Sequence, residues 1–269
     1  MKAAYKLATW NVLATSYIQP KFYPDTPSHV LDPAWRIPAV VRRAGELCVD
    51  ILCLQEVERA VFSALASGLE PLGYSGTLAL KDGGKPDGCA TFFRTNCCAL
   101  LKEHRLVYAD GTGHIAQVLK LDVSGRQLVL VNTHLKWDPP QTPPERQLGL
   151  RQAQLALGAL RQEASSIQVI CGDFNATPDS HLVEFLMDSG LDYTHRLCSN
   201  VFTCNSNRQP KLIDYVFFQG PVRTQPEPLL QIDEQTALPS LDQPSDHLPL
   251  LAGFTIDLAR RKKPQAQKL

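Results

Sequence analysis

Short apolar runs that end abruptly in one or two polar residues recur along this chain. Leu7-Ala-Thr-Trp10 runs into Asn11, Asp50-Ile-Leu-Cys-Leu-Gln55 into Glu56, and Gln127-Leu-Val-Leu-Val131 into Asn132 and His134. Ile167-Gln-Val-Ile-Cys171 leads to Asp173 and Asn175. The order is reversed later, where Asp214 opens Tyr215-Val-Phe-Phe218 and Asp246-His247 precede Leu248-Pro-Leu-Leu-Ala252. Runs this short and this rich in β-branched residues predict buried strands, so the polar groups gather at strand ends.

Between them the pattern predicts helices over about 59–72, 144–164 and 181–189, the second opening on Pro144 and the third following Pro178-Asp-Ser180. Ser124-Gly125 joins two strand-like runs and predicts an antiparallel hairpin. A hairpin among strands otherwise separated by helices argues for mixed sheets, two of them packed together and flanked by helices. Residues 19–38 hold five prolines with Phe22, Tyr23 and Trp35 and read as an ordered loop over one rim; 220–245 read as a second Pro-rich loop.

Composition narrows the function. With 269 residues and 44% hydrophobic content, one large α/β domain over 1–258 is expected, with Arg260 onward part of a basic, disordered tail at 259–269. Lys+Arg and Asp+Glu both number 27, so no global positive field holds a long nucleic acid, and phosphate binding must come from local clusters. No run approaches the roughly 18 apolar residues of a membrane span, and the first residues lack the apolar core of a signal peptide. A cytoplasmic monomer is expected. The eight cysteines read as reduced, since Cys53, Cys89 and Cys171 lie inside apolar runs, and neither Cys48/Cys53 nor Cys198/Cys204 has companions at zinc-site spacing.

Glu56, Asp173 and Asp246, with the amides of Asn11 and Asn175, make an all-oxygen set that suits a hard cation, Mg²⁺ with Mn²⁺ as substitute. Glu56 alone could be an acid at a helix start, and Asp246 alone a turn residue. A buried acid at the head of a strand needs a partner, however, and Asp214 paired with His247 would orient an imidazole able to take a proton from water. His134 would steady charge on phosphate oxygens, with Lys136 nearby; Lys85 is either a loop charge or a phosphate contact. The chain has no Gly-x-Ser-x-Gly elbow, no P-loop and no dinucleotide fingerprint, which sets aside covalent serine chemistry, nucleotide-triphosphate loops and nicotinamide redox chemistry.

Taken in order, Thr9-Trp-Asn11, Leu54-Gln-Glu56, Asn132-Thr-His-Leu135, Gly172-Asp-Phe-Asn175, Ile213-Asp-Tyr215 and Ser245-Asp-His247 resemble the endonuclease/exonuclease/phosphatase superfamily. That resemblance implies a deoxyribonuclease-I-like four-layer α/β sandwich, a metal at Glu56 with Asn11, Asp173, Asn175 and Asp246 around it, and the Asp214–His247 pair. Trp10-Asn-Val-Leu13, Pro86-Asp-Gly-Cys-Ala-Thr-Phe-Phe93 and His134-Leu-Lys-Trp-Asp-Pro139 are similar to the carbon catabolite repression type of deadenylase, whose relatives include nocturnin, the angel proteins and 2′-5′ phosphodiesterase.

The narrower likeness implies a deadenylase-like exoribonuclease acting at RNA 3′ ends and releasing 5′-monophosphates, with Pro139 and Asn175 against a terminal base. The chain departs from that pattern before Ile213, where deadenylases carry a base-stacking aromatic and this chain has Asn207-Arg-Gln-Pro-Lys-Leu212. Trp137 is the candidate replacement, although Trp is also a common core residue. A 2′-5′ phosphodiesterase, an RNA 2′,3′-cyclic phosphatase or a dinucleotide phosphatase are the alternatives within the same chemistry. A binding module that kept the fold and lost catalysis is the alternative outside it, and it should show gaps in the motif set.

Overall fold

The computed structural model describes residues 4–256. The expected basic tail lies outside the described residues. One sheet is built from β1 (Ala4–Asn11), β2 (Ile51–Gln55), β3 (Tyr74–Leu80), β4 (Gly88–Arg94), β13 (Val222–Pro226) and β14 (Leu250–Ile256), in the order β13-β14-β1-β2-β4-β3. The other uses β5 (Cys98–Val107), β6 (Ile115–Val123), β7 (Arg126–His134), β8 (Ile167–Asp173), β9 (Asp192–Tyr193) and β12 (Asp214–Gln219), in the order β5-β6-β7-β8-β12-β9. A small hairpin, β10 (Cys204–Ser206) with β11 (Gln209–Lys211), stands beside them. Each large sheet has one parallel pair, β1–β2 and β7–β8, and is otherwise antiparallel.

The period of two along each strand creates the layers. On β1, Tyr5 and Leu7 face the space between the sheets, whereas Ala8 and Trp10 face helices α1 (Pro33–Glu46) and α2 (Arg59–Leu69). On β7, Leu128 and Leu130 face the inter-sheet core, and Val129 and Val131 pack under α3 (Leu148–Gln162) and α4 (His181–Asp188). Strands covered on both faces must be apolar throughout, which is why they read as continuous runs. The expected four-layer sandwich of two mixed sheets is therefore present. Its interior is crossed by buried polar links: Gln55 Nε2 donates to Thr9 Oγ1 and to Asn132 Oδ1, and Thr91 Oγ1 donates to Gln117 Oε1, tying the sheets together.

The expected hairpin at Ser124-Gly125 joins β6 to β7, with both residues at positive φ, 51° and 81°. The helix expected over 59–72 ends as a 3₁₀ turn, Glu70–Leu72, and the one expected from Pro144 begins as a 3₁₀ turn, Pro144–Arg146, before α3. The third is α4, capped by Ser180, whose hydroxyl accepts from the Val183 amide.

Two expectations change. Residues 19–38 are not one loop, because Asp32 caps Ala34 and Pro33 opens helix α1. A parallel β1–β2 pair requires such a crossover. Pro38 within the helix disguised it. The stretch 220–245 also contributes β13, an edge strand that ends at Pro226, where a missing amide is tolerated.

Candidate active site

Both parallel pairs end on the same side of the sandwich, and their carboxyl ends bring the site together. His134 and Asp173 are register partners at the ends of β7 and β8, and Asp214 opens β12 opposite Asp173. Asn11 closes β1, and Glu56 follows β2 in a left-handed backbone conformation at φ 58°. Asn175 adopts the same region at φ 50°. Such conformations are costly for residues other than glycine and persist where the surroundings hold them. Gly172 serves the same corner, since a Cβ there would lie 1.8 Å from the Thr133 carbonyl oxygen, so only glycine lets β8 approach β7 ahead of Asp173.

The side chains interlock. Asn11 Nδ2 donates to Glu56 Oε1 at 3.1 Å and to Asp173 Oδ2 at 2.9 Å, while its side-chain Oδ1 accepts from the Leu13 amide. Asn11 thus presents its nitrogen to the carboxylates and acts as a clamp between them. Glu56 Oε2 accepts from the Ala14 amide and Asp173 Oδ1 from the Asn175 amide. His247 Nδ1 lies 2.8 Å from Asp214 Oδ2, and its Nε2 is 3.8 Å from Asp173 Oδ2. The Ser-Asp-His segment is held by Ser245, whose hydroxyl donates to the Asn11 carbonyl, and by Trp10, whose indole donates to the His247 carbonyl.

Asn175 Nδ2 donates to the Leu135 carbonyl, which fixes the orientation of the amide, and the same nitrogen lies 3.0 Å from His134 Nε2. That ring nitrogen is therefore the acceptor. Burial, reinforced by the ammonium of Lys81, pushes the His134 pKa well below the ordinary imidazole range, so the ring is neutral. The cation of this corner is Lys81, 3.5 Å from His134 Nδ1 and ion-paired to Asp87 at 2.7 Å with both side chains buried. Tyr17 donates to the same Asp87.

Burial raises the pKa of Glu56, and it carries Asp173 up to about 7 against the opposing pull of His247. Burial disfavours charge on His247 as well, yet Asp214, Cys204 and Asp173 together outweigh it and hold the ring well above its usual range. Asp246 receives a bond from the Tyr23 hydroxyl at Oδ2, while its Oδ1 is buried without a hydrogen-bond partner. Crowded, desolvated carboxylates with an orphaned oxygen are what a hard divalent cation would relieve. Glu56, Asp173 and Asp246 are the residues that could hold it.

A cavity of about 580 Å³ opens from this bed and is lined by Glu56, His134, Asp173, Asn175, Asp246 and His247 at its floor. Its outer wall carries Lys136, Trp137, Pro139, Lys211 and His181, and Trp137 is 49% exposed. Asn11 and Asp214 stand behind the floor, and Lys85 is exposed and is not among the lining residues. Reading the chain missed Lys81, Asp87 and Tyr23. Lys81 had a usable signal, because it follows the apolar end of β3 just as Glu56 follows β2.

Residues 8–247 match the model of the Endonuclease/Exonuclease/phosphatase family. The chain belongs to this family. Its members are hydrolases acting on phosphodiester bonds, and the acid and imidazole set described above is of that kind. The CCR4-Not complex 3′-5′-exoribonuclease subunit Ccr4 of Debaryomyces hansenii is 25% identical over 332 aligned residues, covering 97% of this chain and 40% of the relative. Human 2′,5′-phosphodiesterase 12 is 26% identical over 318, covering 93% of this chain and 51% of the relative. The chain thus spans about half or less of those two proteins. The crystal structure of ANGEL2, a 2′,3′-cyclic phosphatase, superposes with a TM-score of 0.84 at 22% identity, over 96% of this chain and 97% of that one, a likeness of fold. All eight cysteines are free, and no helix among the described residues is long and apolar enough to cross a membrane.

Proposed function

We propose that this protein is a Mg²⁺-dependent phosphodiesterase acting at RNA 3′ ends, removing the terminal nucleotide as a 5′-monophosphate. The observation that carries the reading is the continuity of the cavity. One end is the carboxylate and imidazole floor, and the other is a wall of Trp137, Pro139 and Leu182 flanked by Lys136 and Lys211. A scissile phosphate over the floor would direct its 3′ nucleoside toward the apolar wall and its remaining charge toward the lysines.

In this reading His247 Nε2 takes a proton from the attacking water, and Asp214 holds the ring by Nδ1 and stabilises the imidazolium that results. Asn175 and the lysines orient the phosphate. Asn11 keeps Glu56 and Asp173 in a fixed relation. A divalent cation, when bound, supplies Lewis-acid polarisation of a phosphoryl oxygen, and Glu56, Asp173 and Asp246 would hold it. RNA or a nucleotide is the partner implied, and a monomer suffices.

The hairpin 204–211 favours a second reading. It brings Cys204, Ser206 and Lys211, and no aromatic ring, to the cavity, so it offers a base no stacking platform. A cyclic phosphate at an RNA 3′ end requires less of the base than stepwise removal of adenylates does. Purified protein should be assayed with Mg²⁺, and with chelator, on 3′-5′ oligoadenylate, 2′-5′ oligoadenylate, RNA ending in a 2′,3′-cyclic phosphate, and NADPH. Metal-dependent shortening of the 3′-5′ oligomer is expected. Opening of the cyclic phosphate without shortening of any oligomer would replace the first reading by the second.

A further inference from the structure

Cys204 is buried on the cavity wall, and nothing in the phosphodiesterase chemistry uses it. It comes close to the catalytic floor through the backbone: Cys204 and His247 form an isolated antiparallel bridge, the Asn205 amide donates to the Asp246 carbonyl, and the Leu248 amide to the Thr203 carbonyl. One ligand atom each from Cys204, Asp246 and His247 lie within 4.8 Å of one another, all three residues being buried. The second observation is Asp246 itself, 6% exposed, with Oδ1 buried and lacking any hydrogen-bond partner. His247 Nε2 is the ring nitrogen left over by the Asp214 bond.

We propose that Cys204, Asp246 and His247 form a binding site for a soft divalent cation, Zn²⁺ or Cd²⁺, whose occupation shuts the active site. A thiolate, an imidazole and a carboxylate are the donor types that zinc takes, whereas Mg²⁺ prefers oxygen alone. With zinc–ligand bonds of about 2.0–2.3 Å, tetrahedral donors stand roughly 3.5 Å apart. Side-chain adjustments of the order of an ångström would therefore close the trio. Binding would replace the thiol proton, which leaves to solvent.

The ion would take the His247 nitrogen needed for proton transfer and an oxygen of Asp246, so inhibition follows from shared ligands and needs no conformational change. Cys204 lies 42 positions before Asp246 and 43 before His247, which is why cysteine spacing gives no hint of the site.

The test uses the full chain. Zn²⁺ and Cd²⁺ are titrated into the Mg²⁺-supported hydrolysis of whichever substrate the panel above identifies, for the wild type, Cys204→Ser and the exposed-cysteine control Cys198→Ser. The serine variant should need on the order of 10–100-fold more Zn²⁺ for half-inhibition, the range seen when metal-site partners are removed. Independently of turnover, Cd²⁺ should produce a thiolate-to-metal ultraviolet absorption band in the wild type and in Cys198→Ser and none in Cys204→Ser. Unchanged zinc sensitivity in Cys204→Ser, or a cadmium band that survives that substitution, overturns the proposal. The band is read without substrate, so a failed substrate assignment and a failed metal site are distinguishable.

Discussion

The floor of the cavity and its outer wall are built by opposite rules. On and just behind the floor, Asn11, Glu56, His134, Asp173, Asp214 and His247 are joined to one another or to backbone amides, and all but His247 sit at or next to a strand end. On the wall, Trp137 is half-exposed and the hairpin 204–211 is held at its turn by a surface pair, Arg208 with Asp25. A network in which each group fixes the next tolerates little change, because loss of one member leaves a buried polar partner unsatisfied. A wall of separate contacts can vary one residue at a time. On the proposed function, chemistry is held on the floor and substrate choice is left to the wall.

The sharpest way to break this contrast is Glu56→Gln, which removes a charge from the floor with almost no change in shape. Its kcat/KM should fall by about 10³-fold or more, the rate equivalent of the several kcal/mol that a bound cation contributes. Circular dichroism should be unchanged, and wild-type turnover in this variant would remove Glu56 from the cation set.

Next in size is Lys81→Met, which leaves Asp87 buried without its cation. Urea unfolding should register a loss of about 3–5 kcal/mol, much of it recovered in Lys81→Met with Asp87→Leu. A loss below about 1 kcal/mol would mean that the pair behaves as a solvated surface pair. Trp137→Ala probes the wall, and it should weaken substrate binding by about 1–3 kcal/mol, read in KM with kcat little altered. If kcat falls in parallel with KM unchanged, Trp137 belongs functionally with the floor.

The smallest effect concerns protons. Burial holds the Asp173 pKa up at about 7 and raises Glu56 in the same direction, so below about pH 7 a proton competes with the cation. Raising pH through that value removes the competitor. Mg²⁺ affinity by calorimetry should therefore increase with pH up to about 7 and then level off, by at most about tenfold per unit for a single proton. Affinity that stays flat from about pH 6 to about pH 8 would take Asp173 out of the binding equilibrium.

The floor was largely readable in the chain because its physics is local to each strand. A polar residue directly beside a doubly buried strand has few roles open to it, and four such endings, with two polar groups ahead of later strands, recur in a specific order. Helix α1 was hidden for an equally local reason. Pro38 lies within it and Arg36 on its buried face, where the guanidinium donates to the Val12 carbonyl and to Thr15. Both residues argue against a buried helix until the strand crossover demands one. Tyr23 reads in the sequence only as part of an aromatic cluster, because its bond to Asp246 spans 223 positions.

The sequence by itself determined the layer pattern, the strand ends and the identity of the acids, amides and imidazoles, since each follows from burial over a few neighbouring residues. Tertiary structure alone decided how those groups face one another. Asn11 became a clamp because β1 and β8 meet across the sandwich; His134 became neutral because the fold buries it, with Lys81 beside it; and Cys204 came within reach of His247 because two distant segments share one backbone bridge. Periodicity reports the face on which a residue lies, whereas distances between faces depend on how complete sheets pack.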